Sequence, residues 1–564
     1  MVVEPTSSPG DNNTTEIMLQ DYQSRSGSRE DLFNHSEHSK LDLSQHDIEM
    51  IEEDLLGELP EGKQRFLGIF STVVLFVSRI VGSGIFATPS LIYNEVGACP
   101  GLFFLVWFIA FFMAFAGLYL FLELGSIVPR NGGIKVFLEY IYYKPHMLMS
   151  VIVGVYSIFF GFAISNSIIF GEYFLYSINV EKPSEWASRM VGVVLIVFTT
   201  VIHGISVQFG VRVQNFFGVL KIFLLIAIAL SGLYALILPE KVSHLERQLH
   251  WDQFFTTKQK VSLSSFISAV FKAIYSLAGW SSVHSSAGEV KNPNRTFKIA
   301  GPSSLAIISI CYIMINFAYL MVIPSDEILN SGQLIGGLLF EKILGEKLGR
   351  TLLGLSIAIS AGGNTLVVLY NISRVDQEVF REGFLPLSKY LAANWPFGAP
   401  LPALLVPAII SSSFLIFTPP GNVYDYIINL ESYVMQVFIG LVAVGAIILR
   451  RRFPDSVPAI KSPLVFILVT IVFSIFIILG PLLPGDKSAN SIPGLPSYPF
   501  GALFLIVICV FYWGLVFKFL PWIRGYRLVV LEEKQDDGLI IKTWHKDYHY
   551  SNTRDESDLN TSLL

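Results

Sequence analysis

The sequence predicts an all-α polytopic membrane protein with about twelve transmembrane helices. Three observations carry that expectation. Only 15% of the 564 residues are charged, while 52% are hydrophobic and 45 are phenylalanine. Apolar runs long enough to cross a bilayer recur along the chain. Two of those runs are interrupted in their middles by small and hydroxyl-bearing residues. Soluble domains carry about 25% charged residues, and a soluble chain of this composition would expose too much apolar surface.

A scan for about 18 or more mostly apolar residues gives runs at 66–94, 101–127, 148–178, 190–207, 214–238, 263–290, 301–322, 350–371, 401–417, 424–449, 464–482 and 499–520. Residues 1–62 are rich in Ser, Asp, Glu, Asn and His and poor in aromatics, so a disordered tail is expected there. No apolar core segment of a cleaved signal stands among them. Residues 63–524 form the membrane core and 525–564 a second polar tail. With the N-terminus inside, inner loops carry fourteen basic residues and outer loops eight, so the positive-inside bias predicts that both termini are cytoplasmic. The net charge of −5 reflects mainly the tails, and Cys99, Cys311 and Cys509 are too few and too scattered for a disulfide framework or a metal site.

The first run is broken by Gly82-Ser83-Gly84-Ile85-Phe86. Glycines remove the β-carbon crowding that keeps a helix closed and tolerate positive φ. An unwound turn in hydrocarbon needs partners for its freed N–H and C=O groups, and a polar ligand can supply them at the positive end of the second half-helix. Close helix packing is the alternative use of such glycines. The sixth run contains a second break, Tyr275-Ser276-Leu277-Ala278-Gly279-Trp280-Ser281-Ser282, five spans after the first. Interrupted helices at corresponding places in two halves point to a transporter's midplane site.

The motifs Ile80-Val81-Gly82-Ser83-Gly84-Ile85-Phe86, Glu123-Leu124-Gly125, Asn131-Gly132-Gly133, Gly288-Glu289-Val290-Lys291-Asn292-Pro293 and Arg381-Glu382-Gly383-Phe384-Leu385-Pro386 stand in that order. Together they resemble the amino acid–polyamine–organocation superfamily, in its L-type-like branch. Phe70 to Ile80, Lys298-Ile299-Ala300-Gly301-Pro302 and Asn394-Trp395-Pro396-Phe397 are most similar to the fungal methionine permeases. The resemblance covers about residues 63 to 545. It implies an inverted five-plus-five repeat (LeuT-like) with broken helices 1 and 6, two extra C-terminal helices, and alternating access.

The resemblance further implies that the backbone of Gly82, Ser83 and Gly84 binds a substrate carboxylate. Carbonyls of Ile80, Tyr275, Ser276 and Ala278 would receive its ammonium, with Tyr275 as the aromatic gate. The implied activity is secondary active import of methionine, coupled to protons, at the plasma membrane. A broader neutral amino-acid or thiol-compound permease or exchanger, and a non-transporting nutrient receptor, are the alternatives. The heteromeric relatives use a cysteine after span three, which residues 179–188 lack, so no heavy-chain glycoprotein is expected. Ubiquitin-ligase adaptors acting on tail lysines such as Lys40 and Lys63 are expected by analogy.

Charges inside the runs are functional candidates by default. Lys221 is read either as a proton carrier or as a structural lysine on the carbonyls freed at the first break. Arg79 stays protonated and is expected to pair with Glu123 or another acid, or to serve as an inner gate. Glu289 is a capping residue or an inner-gate candidate. Asn166 either faces the site or bonds across helices, and Ser356, Ser360, Gly362, Gly363 and Asn364 form a small polar face on span eight. No paired carboxylates, metal-ligand spacing or nucleotide loop appears, so neither an enzyme nor a resident cofactor is expected, and nothing suggests nucleic acid.

Overall fold

The computed structural model describes residues 65–548 except 83, 162, 179, 181–182, 238–246, 250, 332–334, 419–421, 455–457, 483–495 and 536–539. The expected N-terminal tail, Lys40, Lys63 and Ser83 therefore lie outside the described residues. Among the described residues nine helices are long and apolar enough to cross a membrane. Three shorter apolar helices, Ile69–Ile80, Ser265–Ser276 and Leu401–Phe417, belong to the first, sixth and ninth runs. Each of the twelve expected runs is thus built on a helix or a broken pair of helices.

The first run forms α1 (Ile69–Ile80) and α2 (Gly84–Glu95). The second is α3 (Pro100–Ile127), with Pro100 at its first turn, where a missing N–H costs nothing. A short helix, α4 (Ile134–Ile141), follows. The third run, expected to be continuous, is α5 (Leu148–Phe160) and α6 (Ile164–Ser177), separated at Gly161. Ser411 Oγ accepts the Ala163 N–H (3.2 Å) at this third break. Next come α7 (Glu185–Ile205) and α8 (Val207–Ile237), which nearly abut, so the polar residues near 207–213 continue the helix rather than form a loop.

The sixth run starts as α9 (Leu263–Ser276). After its break it continues as 3-10 turns at Ser282–Ser285 and Ala287–Glu289 rather than as a second α-helix. Then follow α10 (Pro293–Val322), α11 (Glu346–Arg381), α12 (Leu401–Phe417), α13 (Asn422–Arg452), α14 (Leu464–Leu479) and α15 (Tyr498–Gly514). With 36 residues, α11 is about 54 Å long, well beyond a hydrocarbon core of about 30 Å.

Helices of equal rank in the two five-span halves pack on each other: α2 with α9, α3 with α10, α6 with α11, and α7 with α12. That is the arrangement two repeated halves produce around a shared centre, and it brings the two breaks together.

The polar C-terminal segment holds an antiparallel hairpin, β1 (Arg527–Lys534) and β2 (Ile540–Asp547). It docks on the end of α11. The Trp544 indole donates to the Glu382 carbonyl (2.8 Å), and Arg381 Nε donates to the Ile540 carbonyl (3.0 Å). Gly383 has φ +72°, and a Cβ there would run into the Lys542 carbonyl, so the glycine of this motif is required twice over. Glu382 also bridges Lys135 of α4 (3.1 Å) and Lys542 of β2 (3.5 Å). Burial alone would raise the Glu382 carboxyl, but Lys135 first and then Lys542 hold it well below the usual glutamate range.

Candidate functional site at the two broken helices

The two breaks touch. A Cβ placed on Gly84 would lie 2.8 Å from Ser276 Cα and 2.9 Å from its Cβ. The seam is fastened by Thr88 Oγ1, which is 2.7 Å from Ser276 Oγ, while Ser276 Oγ donates to the Lys272 carbonyl (2.9 Å). From α10, the Tyr312 hydroxyl donates to the Ser276 carbonyl (3.3 Å) and the Tyr319 hydroxyl to the Ile85 carbonyl (3.2 Å). On the same pair of helices, Lys272 Nζ lies 2.6 Å from Glu95 Oε1.

Among the described residues of the two breaks, positive φ is found at the second. Gly279 has φ +111°, whereas neither Gly82 nor Gly84 is among the residues at positive φ. Of the two glycines of the first break, Gly84 is needed for close approach to Ser276, whereas a Cβ on Gly82 would meet only the ends of the Asn364 and Asn166 side chains, at 3.2 and 3.5 Å. Asn166 therefore faces the first break.

Carbonyls freed where α1 ends are claimed by side chains from two other helices. Lys221 Nζ of α8 donates to Ser78 O (3.0 Å) and Val81 O (2.6 Å). From α11, Ser360 Oγ donates to Gly82 O (3.0 Å) and Asn364 Nδ2 to Arg79 O (3.0 Å). Gly363 leaves room for Lys221, whose Nζ a Cβ there would meet at 3.7 Å. The geometry of Lys221 is that of the structural lysine on freed carbonyls.

The expected ammonium ligands divide. Tyr275 O already accepts the Ala278 N–H (3.1 Å) and Ser276 O the Tyr312 hydroxyl, leaving each carbonyl one further lone pair. The side chains that bind the α1 carbonyls do not take up Ile80 O. Tyr275 itself stays 54% exposed, with Ser165 at its hydroxyl.

Arg79 is not the partner of Glu123. Its Nε donates to Ser282 Oγ (3.0 Å) and a terminal nitrogen to Asn364 Oδ1 (3.4 Å), both neutral groups. Glu123 is engaged by Arg450 of α13 through both carboxylate oxygens (2.9 and 2.6 Å), and it also accepts the Ser462 N–H (2.8 Å). The carboxylate whose field reaches Arg79 is Glu431 of α13, which sequence reasoning passed over. An acid inside an apolar run was the signal that marks it.

Glu289 sits in a second layer, nearer the hairpin. Arg374 Nε donates to Glu289 Oε1 (2.9 Å), and the Tyr370 hydroxyl donates to the other oxygen. The Arg374 guanidinium lies 3.8 Å over the Tyr370 ring. Two of the sequence motifs interlock here: Asn131 Oδ1 accepts the Gly288 N–H (2.9 Å), and Gly132 N donates to Ser285 O (2.9 Å). The backbone N–H groups of Phe66 and Leu67 both donate to Glu289 O (3.0 Å). The start of the first run, the end of the sixth and α11 are therefore tied by one residue, Glu289. No group of His, Cys, Asp and Glu side chains able to hold a metal occurs among the described residues.

Comparison with known proteins agrees with this architecture. The model of the amino acid permease family matches residues 67–511. The low-affinity methionine permease of Saccharomyces cerevisiae is 41% identical over 493 residues, covering 87% of this chain and 89% of that one. The high-affinity methionine permease of the same organism is 29% identical, covering 90% and 89%. The b(0,+)-type amino acid transporter 1 of Mus musculus is 26% identical, covering 84% and 92%. A multi-pass helical chain with two broken helices sealed against each other, matched over most of its length, belongs to the amino acid permease family.

Proposed function

We propose that this protein imports methionine, and with lower preference other neutral amino acids, by alternating access and at the expense of a proton gradient. The observation that carries this reading is the contact of Gly84 with Ser276. It sets the N-terminus of α2 beside the end of α9, so that N–H donors and the positive helix end face one pole of a zwitterion and unwound carbonyls the other. The 41% identity to a methionine permease supports the choice of substrate. An unbranched thioether is flexible and polarisable and makes few demands on pocket shape.

In this reading both tails are cytoplasmic, the membrane is the plasma membrane, and the Glu289–Arg374–Tyr370 layer is the inner gate. The transporter works without a heavy-chain glycoprotein, and ubiquitin-ligase adaptors reach it through its tails. Uptake of radiolabelled methionine in cells lacking their own permeases, with competing amino acids and a pH series, tests the assignment. Saturable flux that methionine competes best is expected; absence of methionine flux overturns it.

A further inference from the structure

The two breaks are joined by a cation as well as by their seam. Arg79 stands in the last turn of α1, three residues before Gly82. Its Nε donates to Ser282 Oγ at the end of the second break, and one terminal nitrogen donates to Asn364 Oδ1 of α11. Asn364 uses both ends of its amide on this residue, since its Nδ2 donates to the Arg79 carbonyl. The same Nδ2 is the atom that a Cβ on Gly82 would meet at 3.2 Å. Gly279 makes room on the other side: a Cβ there would lie 2.9 Å from the Arg79 carbonyl and 3.0 Å from its Cγ. The guanidinium is thus fixed between the first break, the second break and α11.

These contacts orient the charge without cancelling or covering it. A guanidinium has five N–H donors and stays protonated. Arg79 spends two of them, both on neutral groups. Its second terminal nitrogen has no partner among the described residues and is not sealed in, and Arg79, Ser282, Asn166 and Tyr275 all keep accessible surface. No acid stands within ion-pairing distance of Arg79 among the described residues, and Glu431 of α13 acts on it only through space. On α11, Arg374 with its partner Glu289 lies ten residues beyond Asn364 and Asp376 twelve, about 15 and 18 Å along the helix. Lys221 is 2% exposed, with its ammonium on the Ser78 and Val81 carbonyls, so it shows no charge to this surface. Among the described residues, Arg79 is the accessible cation between the breaks.

We propose that Arg79 selects substrates by charge: it admits amino acids whose side chains end in a neutral or anionic group and rejects those that carry a second positive charge. This rests on the reading of the protein as an amino-acid importer that holds its substrate at the two breaks. A zwitterion brings its carboxylate to the N–H groups of the first break and its ammonium to the carbonyls of the second. A cationic side chain adds a charge close to a fixed guanidinium, in a medium where like charges repel far more strongly than in water. Leaving a charge unpaired against the wrong ligand is one of the two ways a site gains specificity. An anionic side chain meets the opposite field, and the free terminal nitrogen of Arg79 offers it two N–H donors. An apolar pocket without this cation would behave differently, rejecting both kinds of ionic side chain because each loses its hydration.

The test competes labelled methionine uptake with norleucine, lysine and 2-aminoadipate, which share a six-carbon chain and end in a methyl, an ammonium and a carboxylate. A pH of about 6.5 keeps both ionic end groups charged. Wild type, Arg79→Gln and Arg79→Lys are compared as ratios of inhibition constants, which do not depend on the amount of protein at the surface. Wild type should bind norleucine best and lysine worst, with 2-aminoadipate ahead of lysine by about tenfold or more. In Arg79→Gln the ratio of lysine to norleucine should contract by about tenfold or more, and the advantage of 2-aminoadipate over lysine should vanish. Arg79→Lys should keep the wild-type order. Unchanged ratios in Arg79→Gln would overturn the proposal and leave Arg79 a packing residue. Should that variant not transport, wild type decides alone: lysine competing as well as 2-aminoadipate, or better, overturns it. Either result with methionine flux intact refutes the charge selection alone, whereas absence of any methionine flux refutes the function proposed above.

Discussion

Gly84→Ala introduces a single methyl group where there is no room for it. The new Cβ would sit 2.8 Å from Ser276 Cα, 2.9 Å from Ser276 Cβ and 3.0 Å from its Oγ. Carbon atoms rest at about 3.5–4.0 Å, so α2 and α9 must separate by close to 1 Å. Ser276 has little freedom to yield, because its hydroxyl is held by Thr88 and the Lys272 carbonyl, and its own carbonyl by the fully buried Tyr312. Overpacking of this kind costs about 1–3 kcal/mol. If that cost falls on the closed, substrate-holding arrangement, affinity drops about 5- to 150-fold. Gly82→Ala meets only the ends of two asparagine side chains, at 3.2 and 3.5 Å, which can move by a few tenths of an ångström. Its KM should therefore change by less than about threefold. Ser83→Ala, which keeps every N–H, should be the mildest of the three. Initial rates of labelled methionine uptake, corrected for protein at the surface, give the order directly. A wild-type KM in Gly84→Ala alongside a crippled Gly82→Ala would refute the claim that the seam between the breaks is set by steric approach.

Lys221→Met removes the donor from two buried carbonyls, Ser78 O and Val81 O, each costing about 1–3 kcal/mol when left bare. A lower melting temperature in detergent is expected together with lost uptake, and an unchanged melting temperature would deny the structural role. Glu289→Gln or Arg374→Met alone strands a buried charge, at about 3–5 kcal/mol. The double variant should melt several degrees above either single one while transport stays impaired; additive losses would contradict the pairing. Glu382 has its native carboxyl depressed by Lys135 and Lys542 against the effect of burial. A depressed carboxyl contributes stability that is complete above its unfolded value of about 4.3 and is lost as pH falls from there towards the native value. Protection of the C-terminal hairpin from proteolysis should therefore decline below about pH 4.3 in wild type. Glu382→Gln should be less protected at every pH and flat across that range, and an unchanged acid dependence in that variant would locate the effect elsewhere.

The broken helices were legible because small and hydroxyl residues inside an apolar run have few uses other than unwinding or close packing. The Gly288-Glu289 and Asn131-Gly132-Gly133 motifs could be found in the sequence, yet that they bind each other could not, since the contact is made only once the chain has folded back. Pairing was the weakest part for the same reason. The Glu123–Arg450 pair closes a separation of 327 residues, and no local pattern tells Glu123 to choose Arg450 over Arg79. The hairpin at 527–547 was hidden because its aliphatic residues, Leu528-Val529-Val530-Leu531 and Ile540-Ile541, stand in short contiguous runs among charged residues and show no period-2 alternation. The break at Gly161 carries one glycine rather than two, a pattern that a continuous helix also accommodates.

What the structure changes most is the reason for the glycines. Positive φ and close approach both select glycine, so Gly82-Ser83-Gly84 and Gly279 look alike as letters. They differ in the fold: Gly279 turns the chain at φ +111° and also abuts the Arg79 carbonyl, which a Cβ would meet at 2.9 Å, whereas Gly84 admits a neighbouring backbone without a positive φ. The two requirements respond differently to change. A strained φ is relieved by asparagine or another residue that tolerates the left-handed region, whereas a missing gap is relieved only by a smaller neighbour. Ser276→Gly should accordingly rescue part of the Gly84→Ala defect by removing the Cβ and Oγ at 2.9 and 3.0 Å, although the Cα at 2.8 Å remains. Gly279→Ala should not be rescued by the same change. An equal effect of Ser276→Gly on both variants would mean that the two breaks respond as one loosened unit, and the distinction between their glycines would fall.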